Sequence, residues 1–242
     1  MLWLRVRLRV HRLAARRVGA RRRPHRPGRL PGLRRRMRRE PLRGVLLLGR
    51  RRRGRSGVTT VAAAVDAVRR GLVVFKLPAG GRVPERGWHK RCLATPEAVE
   101  RDWTGGANIG VACRAAGVVG LDLDVKDGSD GAATLHALCA WLGHDWPDTL
   151  TVRTPSGGQH LYFRAPTGRV IASTSGGRSG LGPGIDVRGP GLRCGGYLIG
   201  PGSVVNHTPY VITRDIPLQP LPGWLTDQLD PNGEKSREQQ RL

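Results

Sequence analysis

The chain is poor in acidic residues and in cysteine, and it contains no long apolar run. Its 242 residues include 18 Asp and Glu against 42 Lys and Arg, for a formal net charge of +24. No stretch approaches the ~20 apolar residues that a membrane-spanning helix requires, so we expect no membrane partner. The four cysteines show no C-x-x-C spacing, which argues against a zinc ribbon or a disulfide framework and predicts reduced thiols in the cytoplasm. They are Cys92, Cys113, Cys139 and Cys194.

The positive charge is concentrated at the N-terminus. Residues 1–57 contain 22 arginines and a single acidic residue, Glu40, so the remainder of the chain carries a net charge of only about +3. Blocks such as Arg50–Arg53 repel one another and cannot form a core. We therefore expect segment 1–57 to be disordered, and residues 58–229 to form one domain of ordinary size followed by a polar tail at 230–242.

Three interpretations of segment 1–57 compete. A functional arm would bind nucleic acid non-specifically through counterion release. A targeting segment would need an apolar stretch of roughly 7–15 residues, and Val45–Leu48 is too short. Translated non-coding sequence would also be rich in arginine, glycine and proline if the DNA is GC-rich, with the true start at Met37 or Val58. We favour the third interpretation.

Two acidic residues end an apolar run at 118–125. Alternation predicts a strand, on which Asp122 and Asp124 project from the same face. Two carboxylates at this spacing repel unless a cation lies between them, and their oxygens suit Mg²⁺ or Mn²⁺. By itself the pair is a weak signal, because acidic residues at a strand end often only begin a solvated loop. Asp186, in a second strand-like stretch at 184–189, could complete a cluster suited to two-metal phosphoryl or nucleotidyl transfer.

A hairpin is predicted between these acidic segments, at 149–164. Its turn contains Ser156, Gly157 and Gly158, and His160 follows. The glycines would let the backbone approach a ligand and offer N–H groups to phosphate oxygens. His160 could donate a hydrogen bond to a triphosphate. Taken alone, it is better explained by a strand histidine that makes one structural hydrogen bond.

Together these motifs resemble one known family. In chain order they are Asp122-x-Asp124, Ser156-Gly-Gly-x-His160 and Asp186-Val-Arg188. They are similar to the three signature motifs of the bifunctional DNA primase/polymerase (prim-pol) domain of the archaeo-eukaryotic primase superfamily. Flanking segments at 71–75, 82–84, 108–111 and 195–203 follow the family pattern, so the resemblance runs from about Val58 to about Leu229. Departures are Arg82, where members usually carry Lys, and the irregular segment 190–194.

The resemblance implies a fold and a mechanism. The fold would be α+β, with an RRM-like catalytic core built on an antiparallel sheet and an accessory αβ unit in front of it. The metal ligands and catalytic residues would be Asp122, Asp124 and Asp186, holding Mg²⁺ or Mn²⁺. The nucleotide-binding residues would be Ser156, Gly157, Gly158, His160 and Arg188.

The implied activity is template-directed synthesis from NTPs or dNTPs on single-stranded DNA, in plasmid, phage or mobile-element replication. The sequence contains no P-loop. The chain is therefore expected to be a stand-alone enzyme, a partner of a separate helicase, or a truncated reading frame. Two alternatives stay open: a catalytically weak replication-initiation module that binds DNA, and a metal-dependent nuclease that uses the same carboxylates.

Local patterns predict most of the remaining elements. Thr95 and either Ser129 or Asp130 are expected to cap helices. Helices are predicted at 59–70, 95–103 and 130–142, with a helical turn at 224–229. Strands are predicted at 72–77, 108–112, 118–124, 150–153, 160–164, 185–188 and 197–199. Trp141 is predicted to be a core residue. A glycine- and serine-rich loop at 173–184 would act either as a substrate gate or as a plain connector.

Overall fold

The computed structural model describes residues 61–231 and Gly233, and shows both helices and antiparallel sheets. The helices are α1 (Val61–Arg69), α2 (Pro96–Asp102), α3 (Cys113–Ala116), α4 (Gly131–Leu142) and α5 (Gly223–Leu229), with a 3₁₀ helix at Trp88–Lys90. The strands are β1 (Val74–Leu77), β2 (Asn108–Ala112), β3 (Val118–Leu123), β4 (Val125–Lys126), β5 (Ser129–Asp130), β6 (Leu150–Arg153), β7 (Gln159–Arg164), β8 (Ile185–Arg188), β9 (Tyr197–Ile199), β10 (Val204–Val205), β11 (Thr208–Pro209), β12 (Val211–Arg214) and β13 (Gln219–Pro220). The fold is therefore α+β, as the sequence predicts.

The larger sheet has six strands and runs β12-β6-β7-β3-β8, with all of these neighbours antiparallel. β6 and β7 form the predicted hairpin. The sixth strand, β13, pairs in parallel with the end of β7 at Phe163 and Arg164. This one parallel pairing is the departure from the antiparallel sheet that the sequence predicts.

The two faces of β3 have different roles. Leu121 and Leu123 are completely buried on the face covered by α4 and α5, where they pack with Leu135 and Leu225. Asp122 lies between them in sequence and therefore points to the opposite face. The strict alternation of leucine and aspartate thus secures the strand on one side and presents a carboxylate on the other.

The smaller sheet has three strands in the order β1-β2-β9, and α1 and α2 contribute to its apolar core. Phe75 of β1 pairs with Gly110 of β2, which in turn pairs with Ile199 of β9. A Cβ at Gly110 would lie 2.2 Å from the Phe75 ring, so only glycine lets this ring lie across the sheet. Because β9 comes from late in the chain, the smaller sheet is not continuous in sequence, which the sequence analysis did not predict.

Several local predictions are confirmed. The Thr95 side chain accepts a hydrogen bond from Ala98 N at 3.2 Å and caps α2, while Asp130 caps α4 through Ala133 N at 3.0 Å. Strands at 108–112, 150–153, 185–188 and 197–199 have the predicted bounds. Cys113 and Cys139 lie in apolar segments of the sequence and are buried in the two apolar cores.

The prediction for Trp141 is wrong, because its exposed fraction is 52%. The buried stripe of α4 comprises Leu135, Leu138 and Cys139. At 3.6 residues per turn, Trp141 falls roughly 120° around the helix from Leu135. The sequence analysis also missed α3 and the short strands β4, β5 and β10–β13, whose length offers no periodic pattern.

The predictions for segment 1–57, for starts at Met37 or Val58, and for most of the tail at 230–242 lie outside the described residues. Within the described part of the chain, none of the helices is long and apolar enough to cross a membrane.

Candidate active site

A row of polar residues crosses three adjacent strands of the larger sheet. Asp122 on β3 lies directly opposite His160 on β7 and directly opposite Asp186 on β8. Two residues earlier on β3, Gly120 lies opposite Arg188. Since positions two apart share a face, the histidine, both carboxylates and the arginine project from the same side. The sequence predicts each of these residues, and the register of the sheet brings them together.

Asp122 contacts a potential cation on each side. Its Oδ1 lies 3.3 Å from His160 Nε2, and its Oδ2 lies 3.7 Å from Arg188 Nη2. Burial raises the pKa of the Asp122 carboxyl, but His160 and Arg188 together outweigh this and hold the pKa below its ordinary value. Asp122 is therefore ionised at neutral pH.

Asp186 is nearly buried, with 8% of its surface exposed. Its Oδ2 accepts a hydrogen bond from Arg188 Nη2 at 3.2 Å, and its Oδ1 accepts one from Gly177 N at 3.0 Å. Gly176 and Gly177 both adopt left-handed backbone conformations, with φ of 69° and 68°, which L side chains adopt only with strain. The glycine-rich loop at 173–184 thus contacts a site carboxylate directly.

Asp124 follows the end of β3 and is positioned through its backbone. Its N–H donates to Gly184 O at 2.8 Å, and its carbonyl accepts from Gly131 N at 2.9 Å. A Cβ on Gly131 would lie 2.3 Å from Gly184 O, so this close packing requires glycine. Burial raises the pKa of Asp124, and the neighbouring charges of Asp122 and Asp186 raise it further. The three carboxylates are therefore close enough to repel one another.

The donor chemistry of this cluster fits a hard divalent cation, since carboxylate oxygens are the ligands that Mg²⁺ and Mn²⁺ prefer. Among the described residues, no three His, Cys, Asp or Glu side chains already stand in a metal-binding arrangement. Instead, Arg188 contacts both Asp122 and Asp186 and supplies the positive charge between them. The residues therefore fit the metal chemically, and in this structure the positive charge beside Asp122 and Asp186 is that of Arg188.

His160 is only 4% exposed, so it lies beneath the hairpin turn and not at its mouth. Its Nδ1 lies 3.2 Å from the carbonyl of Ile199, while its Nε2 faces Asp122. A neutral imidazole has one N–H and can donate to only one of these two acceptors. The Tyr162 hydroxyl donates to the same Ile199 carbonyl at 3.1 Å. A neutral His160 therefore donates one hydrogen bond, to Ile199 or to Asp122. The structural role and the contact with a triphosphate both stay predictions.

The hairpin turn differs in detail from the prediction. It is closed by Gly157 N donating to Thr154 O at 3.0 Å, and the Ser156 hydroxyl lies 3.0 Å from Thr154 Oγ1. Gly157 has a φ of 90° and open space around it. Gly158 instead packs against β3, since a Cβ there would lie 2.3 Å from Leu123 O. The close approach that Gly158 permits is to the protein's own strand, which leaves Ser156 and Gly157 as the exposed residues of the turn.

Sequence reasoning missed Tyr210, which lies between β11 and β12. Its ring centroid is 5.5 Å from that of His160. Burial raises the pKa of its hydroxyl to about 12; Arg82 opposes this, while Asp122 and Asp124 add to the rise. Tyr210 is therefore a neutral hydroxyl beside the carboxylates. No local pattern marks it, because it is brought to the site by a distant segment.

Thr174 was missed as well. Its carbonyl accepts a hydrogen bond from Arg188 Nη1 at 2.7 Å, and its backbone bridges to Val187 of β8. Its own hydroxyl is buried and has no hydrogen-bond partner among the described residues. A buried polar group in this state carries a cost, and here it lies beside the arginine of the site.

Comparison with known proteins gives one finding that covers this site. The sequence model of Prim-Pol, described as bifunctional DNA primase/polymerase, N-terminal, matches residues 64–224. A search of curated proteins finds no match. The matched segment covers about two thirds of the chain and contains all three motifs. It supports a DNA primase/polymerase type of function, with nucleotidyl transfer as the reaction class and DNA and nucleotides as substrates. The chain belongs to the Prim-Pol family of bifunctional DNA primase/polymerases.

Proposed function

We propose that this protein is a template-directed primase/polymerase that joins NTPs or dNTPs on a single-stranded DNA template, using Asp122, Asp124 and Asp186 to hold Mg²⁺ or Mn²⁺. One observation carries the proposal. Asp122 and Asp186 lie opposite each other on adjacent strands, and Asp124 follows two residues after Asp122, where burial and the charges of the other two carboxylates raise its pKa. Such a cluster of carboxylates costs free energy through charge repulsion unless it binds cations.

Two divalent ions bound there would activate the attacking hydroxyl and stabilise the pyrophosphate leaving group. The protein's own groups would position the nucleotide. Arg188 contacts Asp122 and Asp186, and once divalent ions take over these carboxylates its guanidinium would be free to bind phosphate oxygens. Ser156 and Gly157 offer an exposed hydroxyl and an open backbone at the turn above.

His160 has two roles in this proposal. It fixes the orientation of Asp122, with which it makes its 3.3 Å contact. As its second role it would contact the triphosphate, which requires the imidazole to exchange its contact with Asp122 or with the Ile199 carbonyl for one with the nucleotide. Removing a carboxylate should cost more activity than removing the histidine, since the electrostatic stabilisation by cations is the larger contribution.

We further infer that residues 58–229 form the catalytic domain, and that its six-stranded sheet is the RRM-like core implied by the resemblance. The family match at 64–224 and the packing of α4 and α5 on one face of this sheet support the inference. Replication of a plasmid, phage or other mobile element, with a separate helicase, would be the setting.

The test is strand synthesis on a labelled primer–template and on an unprimed single strand, with Mg²⁺, with Mn²⁺ and with EDTA. The wild-type protein should extend or initiate strands only with a divalent ion. Asp122→Ala and Asp124→Ala should each abolish synthesis, by roughly a thousandfold or more. Asp145→Ala, which removes an exposed carboxylate after α4, is the matched control and should retain wild-type activity.

Incorporation that is unchanged in both site variants would end the polymerase assignment. Metal-dependent degradation of the template would move the assignment to a nuclease. DNA binding without synthesis or degradation would identify the replication-initiation module.

A further inference from the structure

A cavity of about 370 Å³ opens beside β1, on the smaller sheet. Its walls come from the second half of β1, from the loop that carries the 3₁₀ helix, and from the loop before β2. The residues that matter below are Phe75, Lys76, Glu85, Trp88, Arg91 and Gly105. None of them belongs to the cluster of carboxylates. On its edge away from β2, the pairing of β1 with the rest of the described chain is the single bridge between Val74 and Leu93.

The aromatic wall of the cavity is held in place by the sheet beneath it. Phe75 lies across Gly110, and its ring stacks on Trp88 with centroids 4.3 Å apart and planes inclined by 29°. Tyr197 of β9 meets both rings, at 5.7 Å from Phe75 and 5.4 Å from Trp88. Trp88 is half-buried, so part of its indole remains available at the cavity. A fixed aromatic ring of this kind is a platform on which a planar group can stack.

The charges on the cavity wall are unequal. Lys76 and Arg91 line it, and Glu85 is the single carboxylate that does so. Arg91 Nη1 pairs with Glu85 Oε2 at 2.9 Å, whereas Lys76 Nζ donates to a backbone carbonyl, that of Asp102, at 3.1 Å. The wall therefore carries one excess positive charge. A Cβ at Gly105 would have no atom within 4 Å, so there is room for a chain to pass at the rim.

The same aromatic cluster connects the cavity to the active site. Tyr197 donates its hydroxyl to the Arg82 carbonyl at 3.1 Å. Burial raises the pKa of Tyr197, and the positive charge of Arg188 opposes the rise. Arg188 in turn contacts Asp122 and Asp186. Tyr197 thus contacts the aromatic wall of the cavity and feels the charge of the arginine that contacts the carboxylates.

We propose that this cavity binds one unpaired nucleotide of a single-stranded DNA, with the base stacked on Trp88 and its phosphodiester near Lys76. The proposal rests on the proposed function and names a DNA-binding subsite for it. Every base has a π face, so stacking on an aromatic ring next to a cation holds single strands without regard to sequence. The charge of the wall favours a phosphodiester, which brings one negative charge, over a free triphosphate, which brings several.

The test uses the full chain, an oligo-dT strand that carries a single 2-aminopurine, and EDTA to exclude strand synthesis. Stacking on an indole quenches 2-aminopurine, so this signal reports the local contact and not the overall affinity. The wild-type protein should quench it. Trp88→Leu should lose most of the quenching and weaken binding roughly tenfold, while Trp141→Leu, which removes an exposed tryptophan on α4, should behave as wild type.

Two further variants, at the exposed positions Lys76 and Glu85, test the proposal even if Trp88→Leu misfolds. Lys76→Gln should weaken binding and reduce the salt slope by about 0.7, the value for one lost phosphate contact on a single strand. Glu85→Gln should tighten binding severalfold, because it frees Arg91 and removes the carboxylate from the wall. A damaged fold does not produce tighter binding.

Unchanged quenching in Trp88→Leu, or unchanged affinity in both Lys76→Gln and Glu85→Gln, overturns the proposal. Displacement of the strand by free dNTP also overturns it and identifies a nucleotide site. The outcome is separate from that of the proposed function. Asp122→Ala should quench normally even though it is inactive, and normal quenching without any wild-type synthesis would reject the polymerase assignment alone.

Discussion

The two sheets of this protein both have apolar cores, but only the larger one also buries a group of ionisable side chains. On its site face, the six-stranded sheet buries Asp186 and His160. The three-stranded sheet buries mainly apolar groups, including Phe75, Ile109 and Val111, all at 1% exposure or less. Burying a charge costs free energy unless a partner compensates it, whereas burying an apolar group contributes stability. The comparison teaches that the smaller sheet mainly stabilises the fold, whereas the site face of the larger sheet keeps charged groups at a cost in free energy.

The charges of the larger sheet are compensated pairwise. Arg188 contacts Asp122 and Asp186, and His160 contacts Asp122. Asp124 has neighbours of its own sign and a raised pKa. Substitutions in the two sheets should therefore differ in what they change, with stability lost in one and activity lost in the other.

The largest effect on stability is expected in the smaller sheet. Phe75→Ala removes a buried ring that stacks on Trp88, and should lower the free energy of unfolding by about 3–5 kcal/mol. Thermal denaturation followed by circular dichroism measures the effect. Val83→Ala, at a position that is 76% exposed, is the control and should melt as the wild type does. Equal melting temperatures for Phe75→Ala and wild type would show that this sheet is not the stabilising part.

A smaller effect, on activity, is expected at His160. His160→Ala should raise the apparent KM for the nucleotide by roughly ten- to a hundredfold, the equivalent of about 1.5–3 kcal/mol for a charge-assisted hydrogen bond. It should also shift the acidic limb of the pH–rate profile to higher pH. His160 helps to depress the pKa of Asp122, so its loss lets Asp122 take up a proton at higher pH. His160→Gln, which keeps one donor, should recover part of the activity, and a kinetically normal alanine variant would make the histidine structural.

Asp124→Asn should slightly raise the stability of the fold at neutral pH, whereas Phe75→Ala lowers it. Because the pKa of Asp124 is raised in the folded protein, folding favours its protonated form. This contribution is present below the ordinary pKa and is lost as pH rises through the raised value. At pH 7 without divalent ions, the neutral amide should therefore raise the melting temperature by roughly 1–2 °C, while strand synthesis is lost. At pH 3 the two proteins should melt alike.

The smallest effect on the fold is expected from removal of residues 1–57. A chain that begins at Val58 should melt at the temperature of the full chain and keep template-dependent activity. If the arginine-rich segment anchors DNA, its removal should weaken binding at low salt and reduce the salt slope. If the segment is a start-site artefact, peptides from it should be missing from the proteome of the host. A large fall in melting temperature would show that the segment belongs to the fold.

The sequence by itself determined the local features of this protein. Alternation along β3 placed Asp122 on one face and the leucines on the other, and hydroxyl or carboxylate caps marked the starts of α2 and α4. Three motifs in order were enough to indicate the family. These features depend on residues within a few positions of one another, where the periods of strand and helix decide which side chains share a face.

The tertiary structure decided how distant segments meet. The register of β3 with β8 puts Asp122 opposite Asp186, and no pattern within either strand specifies a register between them. Likewise, β9 joins the smaller sheet although it lies late in the chain. Tyr210, which follows β9 in sequence, packs near the ring of His160. Such contacts are selected by the packing of whole faces, since a shift of one residue would turn every side chain of a strand to its other face.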